Sequence, residues 1–67
     1  MITLHINGET RAFERMVNVA ELLANLQLAG KKLAIERNGQ LIPRSQYVQC
    51  HVADGDRFEI VVAVGGG

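Results

Sequence analysis

The chain has 67 residues and a mass of 7.3 kDa, enough for one small domain that buries roughly 60% of its unfolded surface, and too short for two. Hydrophobic residues make up 48% and charged residues 21%, the balance of an ordinary globular domain rather than a disordered or low-complexity chain. Seven Lys and Arg stand against seven Asp and Glu, so there is no global basic field to hold nucleic acid or an anionic membrane.

Ile2, Leu4 and Ile6 alternate with Thr3 and His5, which predicts a half-buried strand. Asn7-Gly8 follows with the residues a type I′ hairpin turn prefers, and the return strand is expected over residues 10–16. Ala12 and Glu14 fall on one face of that strand, and Arg11, Phe13 and Arg15 on the other. Its weaker alternation suits an edge.

Asn18 stands three residues before Glu21, the spacing of a reciprocal cap at a helix start, with Val17 and Leu22 in the staple positions. Val19, Leu22, Leu23 and Leu26 recur at helical spacing and predict a helix over 19–28 with one apolar stripe. Gly30 suits the left-handed residue that ends it, and Lys31 and Lys32 would then meet the negative end of the helix dipole. Leu33, Ala34 and Ile35 begin a further strand, Asn38-Gly39 repeats the hairpin signal before Leu41-Ile42, and Pro43 stops the pairing. Residues 44–51 have no clean period and predict a short turn or one-turn helix anchored by Tyr47 and Val48. Asp54-Gly55-Asp56 is a turn. Residues 57–64, rich in Phe, Ile and Val, form the strongest strand, with the apolar character of a central one.

Hairpin, helix and two or three further strands make an α+β domain over residues 1–64: a mixed sheet of four to five strands with one main helix packed on one face. The helix supplies the crossover that lets the last strand run parallel to the first. This is the β-grasp, or ubiquitin-like, architecture, followed over 65–67 by a flexible glycine tail.

Groups for catalysis are scarce. Cys50 and His51 are adjacent, and neighbours on an extended chain point to opposite sides, so mutual activation does not follow. A single cysteine forms no internal disulfide, and with two histidines it lacks the spacing of a zinc motif. His5 is expected to face outward from its strand. Asp54 and Asp56 provide too few oxygens for calcium in so short a loop. No residue is assigned a catalytic role and none a metal. The longest apolar runs, such as residues 60–64, fall far short of the roughly 20 residues that span a bilayer, and no leader-like segment opens the chain. A cytoplasmic location is expected, with neither nucleic acid nor membrane as a partner.

Gly65-Gly66-Gly67 directly follows the strongest strand. Without side chains these residues can enter a narrow channel, and extended they reach about 10 Å beyond the sheet. A carboxylate at Gly67 resists nucleophilic attack until activated, for which ATP in a partner enzyme could supply an acyl-adenylate with AMP as leaving group; the alternative is a frayed terminus, which glycine tolerates. If the apolar faces of the first and last strands point to the helix, Val61 and Ala63 lie on the outer face beside Thr3 and His5. With Val64, they form a candidate partner-contact surface next to the tail.

Asn38, Ile42-Pro43-Arg44, Tyr47, Gly55-Asp56, Ile60-Val61 and the ending Val64-Gly65-Gly66-Gly67 resemble the ThiS family, the sulfur carriers of thiamine biosynthesis, and the likeness extends over the whole chain. Gly65 lengthens the minimal diglycine ending by one residue. The resemblance implies a carrier without catalysis of its own and with no tightly bound cofactor. An E1-like adenylating enzyme resembling ThiF would activate the Gly67 carboxylate with ATP and magnesium. Sulfur drawn from cysteine by a desulfurase would convert it to a thiocarboxylate, with Gly65 and Gly66 as the neck that enters the partner. A ThiG-like thiazole synthase would accept the sulfur. The competing readings are the sulfur carrier of molybdopterin synthesis, a protein-conjugation tag, and a β-grasp interaction module with an inert tail.

Overall fold

The alternation that opens the chain builds a strand. In the computed structural model, which describes residues 1–15 and 18–64, β1 covers Ile2–Ile6 and returns as β2 over Glu9–Phe13. Asn7 and Gly8 between them have φ of 50° and 82°, the two left-handed residues of a type I′ turn, whose twist matches the strands it joins. Ile2 is paired with Phe13, Leu4 with Arg11 and Ile6 with Glu9. Ile2, Leu4 and Ile6 are buried, and of their β2 partners Phe13 packs against the core. Beyond Phe13 the chain bends at Glu14 and Arg15 instead of continuing the strand; Met16 lies outside the described residues.

Helix α1 covers Val19–Asn25. Asn18 Oδ1 accepts from the Glu21 N–H at 2.8 Å, the cap its position predicts. The Glu21 carboxylate does not return to the Asn18 backbone; it faces Arg15 at 3.7 Å. Val17, assigned to the staple, lies outside the described residues. Val19, Leu22 and Leu23 are buried and Leu26 packs at the margin, as the apolar stripe requires.

The helix ends earlier than its periodicity predicts, and not at Gly30. Gln27 takes the left-handed conformation with φ 61°. Its N–H donates to Ala24 O at 3.0 Å while the Leu28 N–H donates to Leu23 O at 2.8 Å, the paired bonds of a Schellman ending. The turn folds Leu28 back against the core, and that burial explains why a glutamine occupies a conformation that favours glycine. Gly30, with φ 81°, shapes the following turn. Lys31 and Lys32 are thus well past the helix end and do not serve its dipole, which fades within the last turn.

Strand β3 covers Leu33–Arg37 and β4 Gln40–Leu41, joined by Asn38 and Gly39 at φ 51° and 87°, a second type I′ turn. Ile42 extends this pairing, its N–H donating to Ile35 O at 2.9 Å. A single 3-10 turn over Arg44–Gln46 follows. Tyr47 and Cys50, three residues apart, pack against the core, whereas Val48 is 68% exposed. The three-residue repeat of a tight turn brings the first two inward and carries Val48 out, so Val48 is not the anchor the sequence suggested. Val52, unremarkable in sequence, is completely buried.

Strand β5 covers Arg57–Val62, ending short of the expected Val64. The sheet order is β2-β1-β5-β3-β4, with β5 parallel to β1 and antiparallel to β3. The central strand expected of the Phe, Ile and Val content is therefore present. Phe58 and Ile60 join Ile35, β1 and α1 in one hydrophobic cluster. Five strands and one covering helix in this order form the β-grasp fold.

Candidate functional site

The strand that leads to the tail is fixed at its start by a charged network. Asp56, just before β5, is the one buried charged residue among those described. Its Oδ2 accepts from Arg37 Nε at 2.9 Å and the Ala53 N–H at 2.8 Å, and its Oδ1 from Asn38 Nδ2 at 3.1 Å. Burial opposes the charge, but the Ala53 N–H, the Asn38 amide and the Arg37 guanidinium together outweigh it and hold the carboxyl below the usual aspartate range. Arg37 also donates to Cys50 Sγ at 3.6 Å. Asn38 Oδ1 accepts from the Arg57 N–H at 2.9 Å, so this turn residue joins the second hairpin to the first residue of β5.

The first hairpin makes the matching contact farther along. Asn7 Oδ1 accepts from the Ile60 N–H at 2.7 Å, and Asn7 Nδ2 donates to Ile60 O at 3.0 Å. One side-chain amide thus stands in for the next residue of β1, which has already turned away. The sequence signalled both asparagines as turn formers only; their reach to β5 depends on strand order, which no local motif encodes.

Past Ile60 the strand runs outward. Ala63 N–H donates to Lys32 O at 2.8 Å, and Val64 is 95% exposed. Val61 is 68% exposed and shares the outer face with Ala34, its partner on β3. Thr3 and His5 lie on that face too, half-buried. Leu41, 66% exposed, is paired with Glu36, which itself faces Glu59 across the ladder. Val61 and Ala63 thus lie on the sheet side away from the helix, and Val64, past the end of β5, is exposed. Gly65, Gly66 and Gly67 lie outside the described residues.

The other polar candidates have local partners. Asp54 Oδ1 accepts from the Thr3 N–H at 2.6 Å, and His5 Nδ1 is 3.3 Å from Thr10 Oγ1. Cys50 is partly buried while His51 is exposed, which separates thiol from imidazole. Among the described residues no group of three or more His, Cys, Asp or Glu is placed to hold a metal. Among the described residues no helix is long and apolar enough to cross a membrane.

This arrangement, a β-grasp domain whose central strand runs out to an exposed Val64, has relatives among known proteins. The ThiS family model matches residues 4–67. The sulfur carrier protein ThiS of Bacillus subtilis is 35% identical over 65 residues, covering 96% of this chain and 98% of that protein. A thiazole synthase of Paramagnetospirillum magneticum is 47% identical over 64 residues, covering 96% of this chain but 20% of that protein. The chain spans about a fifth of the length of this synthase and of a second one from Magnetococcus marinus. The crystal structure of a thiamine biosynthesis protein (ThiS) from Geobacter metallireducens superposes with a TM-score of 0.84 at 32% identity, covering 98% of this chain and all of the other. The chain belongs to the ThiS family.

Proposed function

We propose that the protein is a sulfur carrier of thiamine biosynthesis and that the Gly67 carboxylate is the group that carries sulfur. The observation that supports this most is the central position of β5. A strand hydrogen-bonded on both sides, fixed at Asp56 and again at Ile60, presents whatever follows Val64 from a rigid base, so docking of the domain also positions the chain end. Match to the ThiS family over residues 4–67 includes the three glycines.

In the first step a Gly67 carboxylate oxygen attacks the α-phosphorus of ATP in an activating enzyme, with magnesium, and pyrophosphate leaves. A persulfide, charged with sulfur by a cysteine desulfurase, then attacks the acyl-adenylate carbonyl and AMP leaves. A thiol cleaves the resulting acyl disulfide, releasing a thiocarboxylate on Gly67 and a disulfide between the two thiol partners. Thiazole synthase is the acceptor of that sulfur. The domain itself supplies binding and aim: Gly65 and Gly66 form a neck without side chains, and Val61, Ala63 and Val64 form the apolar contact beside it.

ATP–pyrophosphate exchange by the activating enzyme tests this reading. The full chain is expected to support exchange and a deletion of residues 65–67 to abolish it. Val61→Asp, an exposed change that leaves the core untouched, should reduce exchange without unfolding the domain. Equal exchange with the full chain and the deletion would refute the assignment.

A further inference from the structure

Beyond Ile60 the β1 side of β5 is left without a strand. Asp56 O accepts from the His5 N–H and Phe58 O from the Asn7 N–H, each at 2.9 Å, and the Asn7 amide takes both main-chain groups of Ile60. Residues two apart in a strand present their main-chain groups to the same side, so the N–H and C=O of Val62 point toward the place β1 has vacated. Ala63 faces the opposite way, as its bond to Lys32 O requires. Leu33 is the register partner of Val62 on β3 and, by the same alternation, its main-chain groups point away from Val62. Among the described residues both main-chain groups of Val62 are without a hydrogen-bond partner.

Beside this open edge lies a groove of about 270 Å³ lined in part by Ile6, Leu26, Leu28 and Val62, with Glu9 and Arg11 also on its wall. The two charges are opposite, so the groove offers no net attraction for an ion or a strongly charged segment. An N–H and C=O without partners in strand geometry, beside a groove of mixed polar and apolar lining, match an extended peptide, which supplies the complementary main-chain groups and an alternate apolar side chain. The edge ends where the tail begins, and a protein that takes in residues 65–67 necessarily meets the main chain just before them. We propose that an extended segment of the activating enzyme adds as a short strand to β5 at Val62 and places one apolar side chain in this groove. The proposal rests on the sulfur-carrier reading for the identity of the partner. Strand addition would fix the direction in which the tail leaves, which the apolar outer face alone does not.

Amide hydrogen exchange on the isotope-labelled full chain, alone and saturated with the activating enzyme, tests the proposal. The Val62 amide should exchange rapidly in the free protein and slow by about tenfold or more in the complex, the protection of one added hydrogen bond, while the Ala63 amide is protected in both. Val62→Pro removes the unused N–H together with the valine side chain on the groove wall; at this open edge it is expected to keep the fold while weakening enzyme binding about tenfold. Ala63→Pro, which breaks the bond to Lys32, should loosen the strand end even without the enzyme. An unprotected Val62 amide in the saturated complex overturns the proposal whether or not Gly67 is adenylated. Protection that appears in the free chain as concentration rises overturns it as well, since a second copy would then occupy the edge. Protection by the enzyme without adenylation supports the strand addition and removes the sulfur-carrier reading.

Discussion

Asp56 shows how one residue can be read from sequence as a turn and serve in the fold as a junction. Its carboxylate connects the Ala53 N–H, Arg37 and Asn38, and its main-chain oxygen receives the His5 N–H. Because the folded-state pKa is lowered, the ionised form favours folding. That contribution is complete above the unfolded aspartate value of about 4 and is lost as pH falls through the lower folded value. Asp56→Asn is expected to cost roughly 1–3 kcal/mol at neutral pH, and the difference from the parent should shrink in acid. Urea unfolding between neutral pH and pH 3 measures it; a difference that stays constant would contradict the role of the charge. Gln27 makes the opposite case. Its φ of 61° is a conformation that costs an L residue about 1 kcal/mol, so Gln27→Gly should raise stability by roughly 0.5–1 kcal/mol, read as a higher melting temperature.

Among the elements, β5 was the most legible, because a run of β-branched and aromatic residues on both faces describes a strand flanked on both sides. The two Asn-Gly turns were equally clear, since their chemistry requires two residues with positive φ and these dipeptides supply them. The end of α1 was not, because helical periodicity continued through Leu26 while the burial of Leu28 determined where the chain turned. Residues 44–52 were the least readable: a 3-10 turn has too short a repeat to leave a pattern, and Val52 gains its burial only from neighbours distant in sequence. Register also exposes what composition hides. Glu36 and Glu59 face each other across the β3–β5 ladder, a like-charge pair that destabilises a sheet by roughly 0.2–1 kcal/mol. Glu59→Gln should therefore stabilise the domain by about that amount at low salt, with the gain shrinking as salt screens the pair. A loss of stability in chemical denaturation would contradict this account of the outer face.

For the whole molecule, the fold sets one packed core against an exposed outer margin. The helix and the inner sheet face use their apolar residues on one core, and β5 carries that rigidity to the edge where Val61, Ala63 and Val64 are exposed. Of the candidate site, the outward alternation of Val61 and Ala63 was legible in sequence, while the glycine tail lies outside the described residues. The open main-chain edge at Val62 was not, because it arises from β1 ending earlier than β5, a relation between strands far apart in the chain. The central claim is that Gly67 bears the sulfur. Intact-protein mass spectrometry after incubation with ATP, magnesium, the activating enzyme, cysteine and a cysteine desulfurase tests it most directly, with the full chain set against a deletion of residues 65–67. The account predicts a mass gain equal to one oxygen-to-sulfur exchange, located at Gly67 and absent from the deletion. Neither adenylate nor thiocarboxylate on the full chain, with an enzyme shown to be active on a known carrier, would contradict it and leave the domain an interaction module.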